Sequence, residues 1–495
     1  MSGDMTFRLL NETRRIVDKP WGIGVSSQLW RYNLHYFDDL NAFEAEARRH
    51  WHVLAIANWI RDNPPGYGDA WAPYPMSLRV VNWIKWMLGG ATLDVPVVHS
   101  LATQARALTQ RLEYHLLGNH LFANAKALVF AGLFFEGEEA GRWLEKGMGI
   151  LAREMPEQIL ADGGQFERSP MYHALAFEDV LDLINVAGAL YDGVPEKWSP
   201  FVGSWPVLAQ RMRTWLTAMC HPDGEISFFN DAAVGTAPSP AELERYAIDL
   251  VGAPGSGAAT GDAFRVLHLA CTGYVRADAP DSVLLIDVAP VGPDYLPGHA
   301  HADTLSFELS LFGQRVIVNG GTSRYGLGPE REAERGTAAH STVTVDGENS
   351  SEVWAGFRVA RRARPFDLGV SQEGQRLRVS CAHDGYRRLT GRPVHRRDWL
   401  FQPGLLRVED RVEGRFGSAV ARFHLHPALE VTVDASRSSG CLRLPGGHAV
   451  HWRVSGGSPR VEPSLYRPEF GRVDPTQCLA VEFDSTSRAC MELTW

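Results

Sequence analysis

The stretch Gly252-Ala253-Pro254-Gly255-Ser256-Gly257 separates two different grains of sequence. A run of small residues and proline offers neither a helical face nor a strand alternation, so it reads as a linker. Before it, positions recur at helical spacing. Phe177, Val180, Leu181, Ile184 and Gly188 fall at i, i+3, i+4, i+7 and i+11, and Leu144, Met148, Leu151 and Met155 behave likewise. This spacing predicts helices over 42–62, 76–90, 97–117, 120–135, 139–155, 173–190, 204–219 and 239–251. Connectors such as Asn63-Pro64-Pro65-Gly66 and His221-Pro222-Asp223-Gly224 break them. Paired helices of this number point to a toroid or a solenoid, although no clean repeat is present. After the linker come short alternating runs: Ser282–Val288, Thr304–Leu311, Arg315–Val318, Ser341–Val345, Leu377–Ala382, Leu405–Val412 and Ala419–His424. Their spacing is that of stacked antiparallel sheets. The expected fold is therefore multidomain α+β, with a helical domain over 1–260 and an antiparallel β-sandwich over 261–495. A cleft between the two is the default place for a site.

The bulk numbers agree with this division. A chain of 495 residues exceeds one comfortable core. Apolar residues at 45% and charged residues at 22% are ordinary for a globular enzyme. Fifteen Trp is a high count; such rings serve either as cores or as flat platforms for sugars. The net charge of −9 speaks against nucleic acid, and any acidic partner would need a local basic surface. Cys220, Cys271, Cys381, Cys441, Cys478 and Cys490 form no C-x-x-C pair, so they read as reduced, mostly buried thiols. No signal segment is visible in Met1–Leu40 and no apolar run reaches membrane-spanning length. The expectation is a soluble, cytoplasmic chain without membrane contact, or a periplasmic or secreted one if a signal has been removed.

Several segments can carry chemistry. In Gly298-His299-Ala300-His301-Ala302-Asp303 the polar residues alternate, so a strand would project them to one face, one imidazole as a base and one as a metal ligand. Asn319 follows a predicted strand and His340 precedes another, and with His301 they can form a three-ligand site. Hydrogen-bonded strand ends are the plainer alternative. In Gln165-Phe166-Glu167-Arg168-Ser169-Pro170-Met171-Tyr172-His173, Ser169 reads as a helix cap with Pro170 in the first turn. Tyr172 then sits where a helix N-terminus favours a phenolate, or it packs the helix end. In Gly118-Asn119-His120-Leu121-Phe122-Ala123-Asn124, side-chain amides and an imidazole can hold a carboxylate, unless Asn119 is simply a cap. Trp71, Tyr74 and Trp83 with Arg79 and Asn82 combine aromatic platforms with a carboxylate-pairing guanidinium. Asn230-Asp231 can bind sugar hydroxyls. Arg358, Arg361, Arg362 and Arg364 form a basic run, either a solvated face or a rim for an acidic glycan.

Taken together, these segments resemble the heparinase II/III-like polysaccharide lyases. The sharpest parts are Trp30-Arg31-Tyr32-Asn33-Leu34-His35-Tyr36-Phe37, the Asn119 segment, Gln165 to His173, and His299 through His340 with Arg335-Gly336-Thr337-Ala338-Ala339-His340. The resemblance implies an N-terminal (α/α) toroid followed by an antiparallel β-sheet domain. It implies β-elimination at a uronic acid in an acidic polysaccharide, a glycosaminoglycan or alginate. By position, Asn119 neutralises the substrate carboxylate, helped by His120, and Tyr172 and His299 form the proton-transfer pair. Asn124, Glu167, Asn230 and Arg335 join Arg79 and Asn82 as expected substrate contacts. His301, Asn319 and His340 match the ligands of a divalent metal, Mn or Zn, with a supporting role. Related lyases place Asp where this chain has Asn319, and a neutral amide is the weaker ligand. Two further classes stand beside this one. A toroidal glycoside hydrolase would use Glu167 and Asp231 as its carboxylates. A non-catalytic glycan-binding or polysaccharide-assembly protein needs aromatics and Arg but no proton-transfer pair.

Overall fold

The helices form where the spacing places them, with ends moved by local chemistry. The structure is a computed structural model describing residues 1–3, 5–16, 21, 27–91, 94–254 and 264–495. Gly255, Ser256 and Gly257 of the predicted linker lie outside the described residues. Helices cover Arg49–Asp62, Pro73–Leu88, Val95–Thr109, Gly118–Phe134, Glu138–Gln158, Pro170–Ala189, Trp205–Ala218 and Pro240–Val251. The first prediction began too early. Glu44 takes a left-handed φ of 56° and only a short 3-10 turn, Ala45–Arg48, precedes the helix. The helix Gln28–Tyr36 escaped the periodicity because it is nine residues long and Arg31 and Asn33 interrupt its apolar positions. It is capped by Ser27, whose hydroxyl accepts from the Trp30 N–H.

By compactness the chain divides into two units, Met1–Gln158 with Ala176–Ala209, and Ile159–Leu175 with Gln210–Trp495. Element type changes near the expected linker, but the units do not follow 1–260 and 261–495. The reason is packing: Trp215, Ala218 and Met219 share a core with Leu269, Tyr274, Val283 and Leu285 of the strands.

In the first unit, Gly118–Phe134 is buried along nearly its whole length. It lies close against Glu138–Gln158, where a Cβ on Gly132 would meet the Leu144 backbone at 2.5 Å and one on Gly147 the Ala125 carbonyl at 2.8 Å. Glycine at these two points permits the close crossing. Lys126, buried in this unit, is offset by Asp179 at 2.7 Å and Asp182 at 2.6 Å, with Lys85 also on Asp182.

In the second unit, two antiparallel sheets of eight and nine strands are present among the described residues. One sheet contains Arg376–His383, Val394–Gln402, Leu405–Glu413 and Arg488–Thr494 side by side, and the other contains Asp474–Phe483, Ala419–Leu425, Gln314–Val318, Phe307–Leu311 and Ser282–Asp287. Alternate residues from both sheets, among them Leu377, Trp399, Val408, Leu284, Phe307 and Phe423, meet in one hydrophobic cluster. That is a sandwich core. No helix among the described residues is long and apolar enough to cross a membrane.

Candidate active site

The second unit assembles its site from three backbone irregularities. The first is the start of the helix Pro170–Ala189. Ser169 caps it: its hydroxyl accepts from the Tyr172 N–H at 3.1 Å and donates to the Asp231 carbonyl at 2.5 Å. Arg168, just before the cap, holds a left-handed φ of 61°. That conformation costs about 1–2 kcal/mol for a residue with a Cβ. It turns the Arg168 carbonyl toward two donors, the Tyr274 hydroxyl at 2.7 Å and the Asn230 amide at 3.1 Å. The second is Asn230, itself left-handed at φ 58°, which turns the chain into Asp231. The third is Gly298–Asp303, which is loop and not the strand that the alternation suggested.

Within this frame Asp231 is the hub. Its Oδ2 accepts from His299 Nδ1 at 2.9 Å and its Oδ1 from His301 Nε2 at 2.8 Å. Arg331, also buried, closes on both carboxylate oxygens with its guanidinium fork, at 2.7 Å on Oδ2. Burial opposes ionisation of Asp231, but Arg331 and the two imidazoles outweigh it and hold the carboxyl well below its usual range. An ionised Asp231 can only accept, so His299 carries a proton on Nδ1, and in the neutral imidazole the lone pair lies on Nε2. The Tyr172 ring lies 3.9 Å, centroid to centroid, from the His299 ring. The Tyr172 hydroxyl bonds the Tyr325 hydroxyl at 2.9 Å. Burial, then the Asp231 charge, push the Tyr325 phenol well above its usual value, keeping it a neutral partner. The Glu167 carboxylate stands 3.8 Å from His299 Nε2 and is held by Gln165 at 3.2 Å.

The expected metal ligands are brought together, but as a hydrogen-bonded set. His340 Nε2 donates to His301 Nδ1 at 3.2 Å, given that His301 Nε2–H donates to Asp231. Asn319 spends its carbonyl oxygen on the Ser341 N–H at 3.1 Å and its amino group on the Ser306 hydroxyl at 3.3 Å. Burial pushes His301 down to about 4 and His340 down to about 3, so both are neutral. Neutral imidazole is the form that ligates metals, and His340 Nδ1 is buried without a partner among the described residues. Both His301 nitrogens and the Asn319 amide are engaged, however, and no carboxylate stands among the three, so the set is arranged for hydrogen bonding. Among the described residues no group of three or more His, Cys, Asp or Glu is gathered to hold one. A second chain of the same kind lies inside the sheets. His383 Nε2 donates to His395 Nδ1 at 3.2 Å, His395 Nε2 to Asp410 at 2.7 Å, and Arg397 closes on Asp410. It carries no exposed imidazole. The feature peculiar to the first chain is therefore His299, half-open and attached to Asp231.

Other expected substrate contacts are bracing groups. Asn230 donates to the Arg168 carbonyl and accepts from the His301 N–H at 3.2 Å, and is buried. Arg335 is buried on the Ala300 carbonyl at 2.9 Å and the Trp354 carbonyl at 3.4 Å. In the first unit Arg79 is buried with its donors on Gln104, the His35 carbonyl and the Ala70 carbonyl, and it stacks on Trp59. Asn82 holds the Tyr36 carbonyl at 2.9 Å and Asp38 at 2.8 Å. Trp71 and Trp83 are core, not platforms. Asn124 is buried on Ser77 and Glu113, and Glu113 in turn holds His120 Nδ1 at 3.1 Å. Asn119 is not a cap. It is the second residue of Gly118–Phe134, half-buried, and its side-chain amide has no hydrogen bond among the described residues. A left-handed Leu117, φ 57°, leads into that helix instead.

Tyr325 and Arg331 were missed, and Asp231 was weighed only as a sugar contact or a hydrolase carboxylate. No local pattern marks them: Arg331 reads as one charge on a short polar helix, and its partner lies 100 positions away.

Residues 26–247 match the family profile described as Heparinase II/III N-terminus, and 264–495 that described as Heparinase II/III-like, C-terminal. A heparin-sulfate lyase of Pedobacter heparinus is 26% identical over 335 residues, 61% of this chain and 48% of that protein. One of Bacteroides stercoris is 27% identical over 324 residues, 61% and 44% respectively. The chain thus spans about half the length of these curated relatives. Among solved structures, a heparinase III superposes with a TM-score of 0.74 at 18% identity, over 96% of this chain and 79% of that one. A heparan sulfate lyase from Pedobacter heparinus gives 0.64 at 20% identity, over 99% and 81%. At such identities the structural likeness concerns the fold.

Proposed function

The chain belongs to the heparinase II/III-like family, and from that premise we propose that it is a polysaccharide lyase that cleaves uronic-acid glycans by β-elimination. The observation that carries the reading is the Tyr172–His299 pair: a phenol and an imidazole in ring contact, the phenol hydroxyl tied to the half-buried Tyr325 and the imidazole Nδ1 to the buried Asp231. In β-elimination a base removes the proton on C5 and the electron pair enters the carboxylate-stabilised system. The C4–O4 bond then breaks, a proton is delivered to O4, and a C4–C5 double bond remains. His299 Nε2, with its lone pair set by Asp231, is the base where proton and leaving group lie on opposite faces, and Tyr172 protonates O4. Where they share a face, Tyr172 does both and His299 tunes it. Asn119, whose amide has no hydrogen bond among the described residues and which has His120 beside it in sequence, is assigned the substrate carboxylate, whose charge must be masked for C5 to become acidic. Heparan sulfate is the first substrate to try, because the curated relatives are named heparin-sulfate lyases. Alginate is the second. No step uses a metal.

The hydrolase reading loses its second carboxylate, since Asp231 is fully buried and bound on both oxygens. Incubation with heparan sulfate, chondroitin, hyaluronan and alginate is expected to raise ultraviolet absorbance from the new double bond on at least one. Reducing ends that form without that absorbance would sink the proposal.

A further inference from the structure

Of the fifteen Trp, which are all described, Trp354 alone is exposed, at 53%, and the others are buried or half-buried. An apolar ring of that size in water invites an explanation when it stands beside a site. Trp354 belongs to the small hairpin Val353–Trp354 with Arg358–Val359. Its direct partner across the hairpin is Arg358, so the two side chains stand on one face. Arg358 is exposed and makes no ion pair among the described residues, whereas Arg361 is paired with Glu352 and Arg362 with Asp294. The turn of the same hairpin reaches the proposed centre. Phe357, 41% exposed, meets the His299 ring edge-on at 5.7 Å and the Tyr325 ring at 5.2 Å.

The hairpin is anchored. Arg335 donates to the Trp354 carbonyl at 3.4 Å, and Arg331 donates to the Gly356 carbonyl at 3.2 Å while gripping Asp231. Gly356, at φ 75°, lies so close to Gly326 that a Cβ would meet its carbonyl oxygen at 2.8 Å. One guanidinium therefore positions both the His299 carboxylate partner and the hairpin turn.

We propose that the hairpin Val353–Val359 is a sugar subsite of the active centre: Trp354 stacks on a ring of the glycan chain, Arg358 pairs with the acidic group on that ring or its neighbour, and Phe357 closes the side next to His299. An aromatic face supplies flat apolar contact to a sugar, and a guanidinium fork matches carboxylate or sulfate. This inference rests on the lyase reading, and its test separates the two. Binding of a size-defined heparan oligosaccharide and of an unsulfated hyaluronan oligosaccharide would be measured by the quench of tryptophan fluorescence and by calorimetry, alongside turnover. Trp354→Ala is expected to weaken binding and raise KM about tenfold, with kcat within about twofold, and Trp354→Phe to restore most of the affinity. Arg358→Gln is expected to flatten the salt dependence of binding. If its effect is confined to the heparan oligosaccharide, the acidic group is sulfate; if hyaluronan responds equally, it is carboxylate. Both variants are exposed, so melting temperatures should stay within about 2 °C of the parent. Unchanged affinity in Trp354→Ala and Arg358→Gln, in a protein that cleaves, overturns the subsite and leaves the lyase reading standing. Loss of binding in a protein that never yields the double bond supports the subsite and overturns the lyase reading.

Discussion

Tyr172, His299 and Asp231 set what the site can do, and each can be probed alone. Tyr172→Phe removes one hydroxyl and its bond to Tyr325; His299→Ala removes the imidazole. Each is expected to lower kcat by about 10²–10⁴-fold or more, with oligosaccharide affinity held within a few fold; near-normal turnover in either refutes the pair. Asp231→Asn is the sharper test. The amide keeps the shape but leaves Arg331 buried without its counter-charge, an arrangement costing about 3–5 kcal/mol by denaturant titration. In the folded fraction kcat should fall and the pH–rate profile should shift, because the amide no longer dictates which His299 nitrogen holds the proton. The Asn319 amide, engaged on Ser306 and Ser341, leads to a negative result: chelator dialysis should leave the melting temperature unchanged. A drop of several degrees, reversed by Mn or Zn, would restore the metal.

At the scale of elements, the cap of Pro170–Ala189 does two tasks, since Ser169 receives the Tyr172 N–H and also ties the helix start to Asp231. Ser169→Ala is expected to cost about 1–2 kcal/mol in denaturant midpoint, as for buried caps, and to reduce kcat through misplacement of Tyr172. Ser169-Pro170 was readable as a helix start because cap chemistry is local. The Gly298–Asp303 segment was not readable in the same way. Alternation there suggested a strand, but the polar residues alternate because a loop carries His299 and His301 to one carboxylate 68 and 70 positions away. Asn119 erred in the opposite direction: residue type suggested a cap, whereas Leu117 and Gly118, both left-handed, begin the helix ahead of it.

For the whole molecule, acid acts through the buried histidines, opposed by Glu178, which burial pushes up to about 7, and Asp287, which burial holds well above the usual carboxylate range, since both gain stability as pH falls through the same range. His35, His173 and His340 are pushed down to about 3 by burial, and His301 and His424 to about 4. Their folded values lie below the unfolded value of about 6.5, so the unfolded chain binds more protons between the two. Their contribution is complete above pH 6.5 and is lost as pH falls toward 4, at up to about 1.4 kcal/mol per pH unit for each. Melting temperature should therefore decline steadily from pH 6.5 to 4; a flat profile would show that these rings do not outweigh the two carboxylates. Asp231, held low, adds its loss only in more acidic solution, as pH falls below its unfolded value near 4. The amino-acid sequence by itself determined the helical half, the sheet half and the change between them, because periodicity reports which face of each element avoids water. It also brought Tyr172 and His299 forward, through motifs lying in one order along the chain. The rest was decided only by tertiary structure: that Asp231 and Arg331 hold His299, that Asn230, Arg335 and Arg79 brace backbone, that Trp354 stays in water. Burial and hydrogen-bond pairing depend on contacts far apart in the chain, and no local pattern records them.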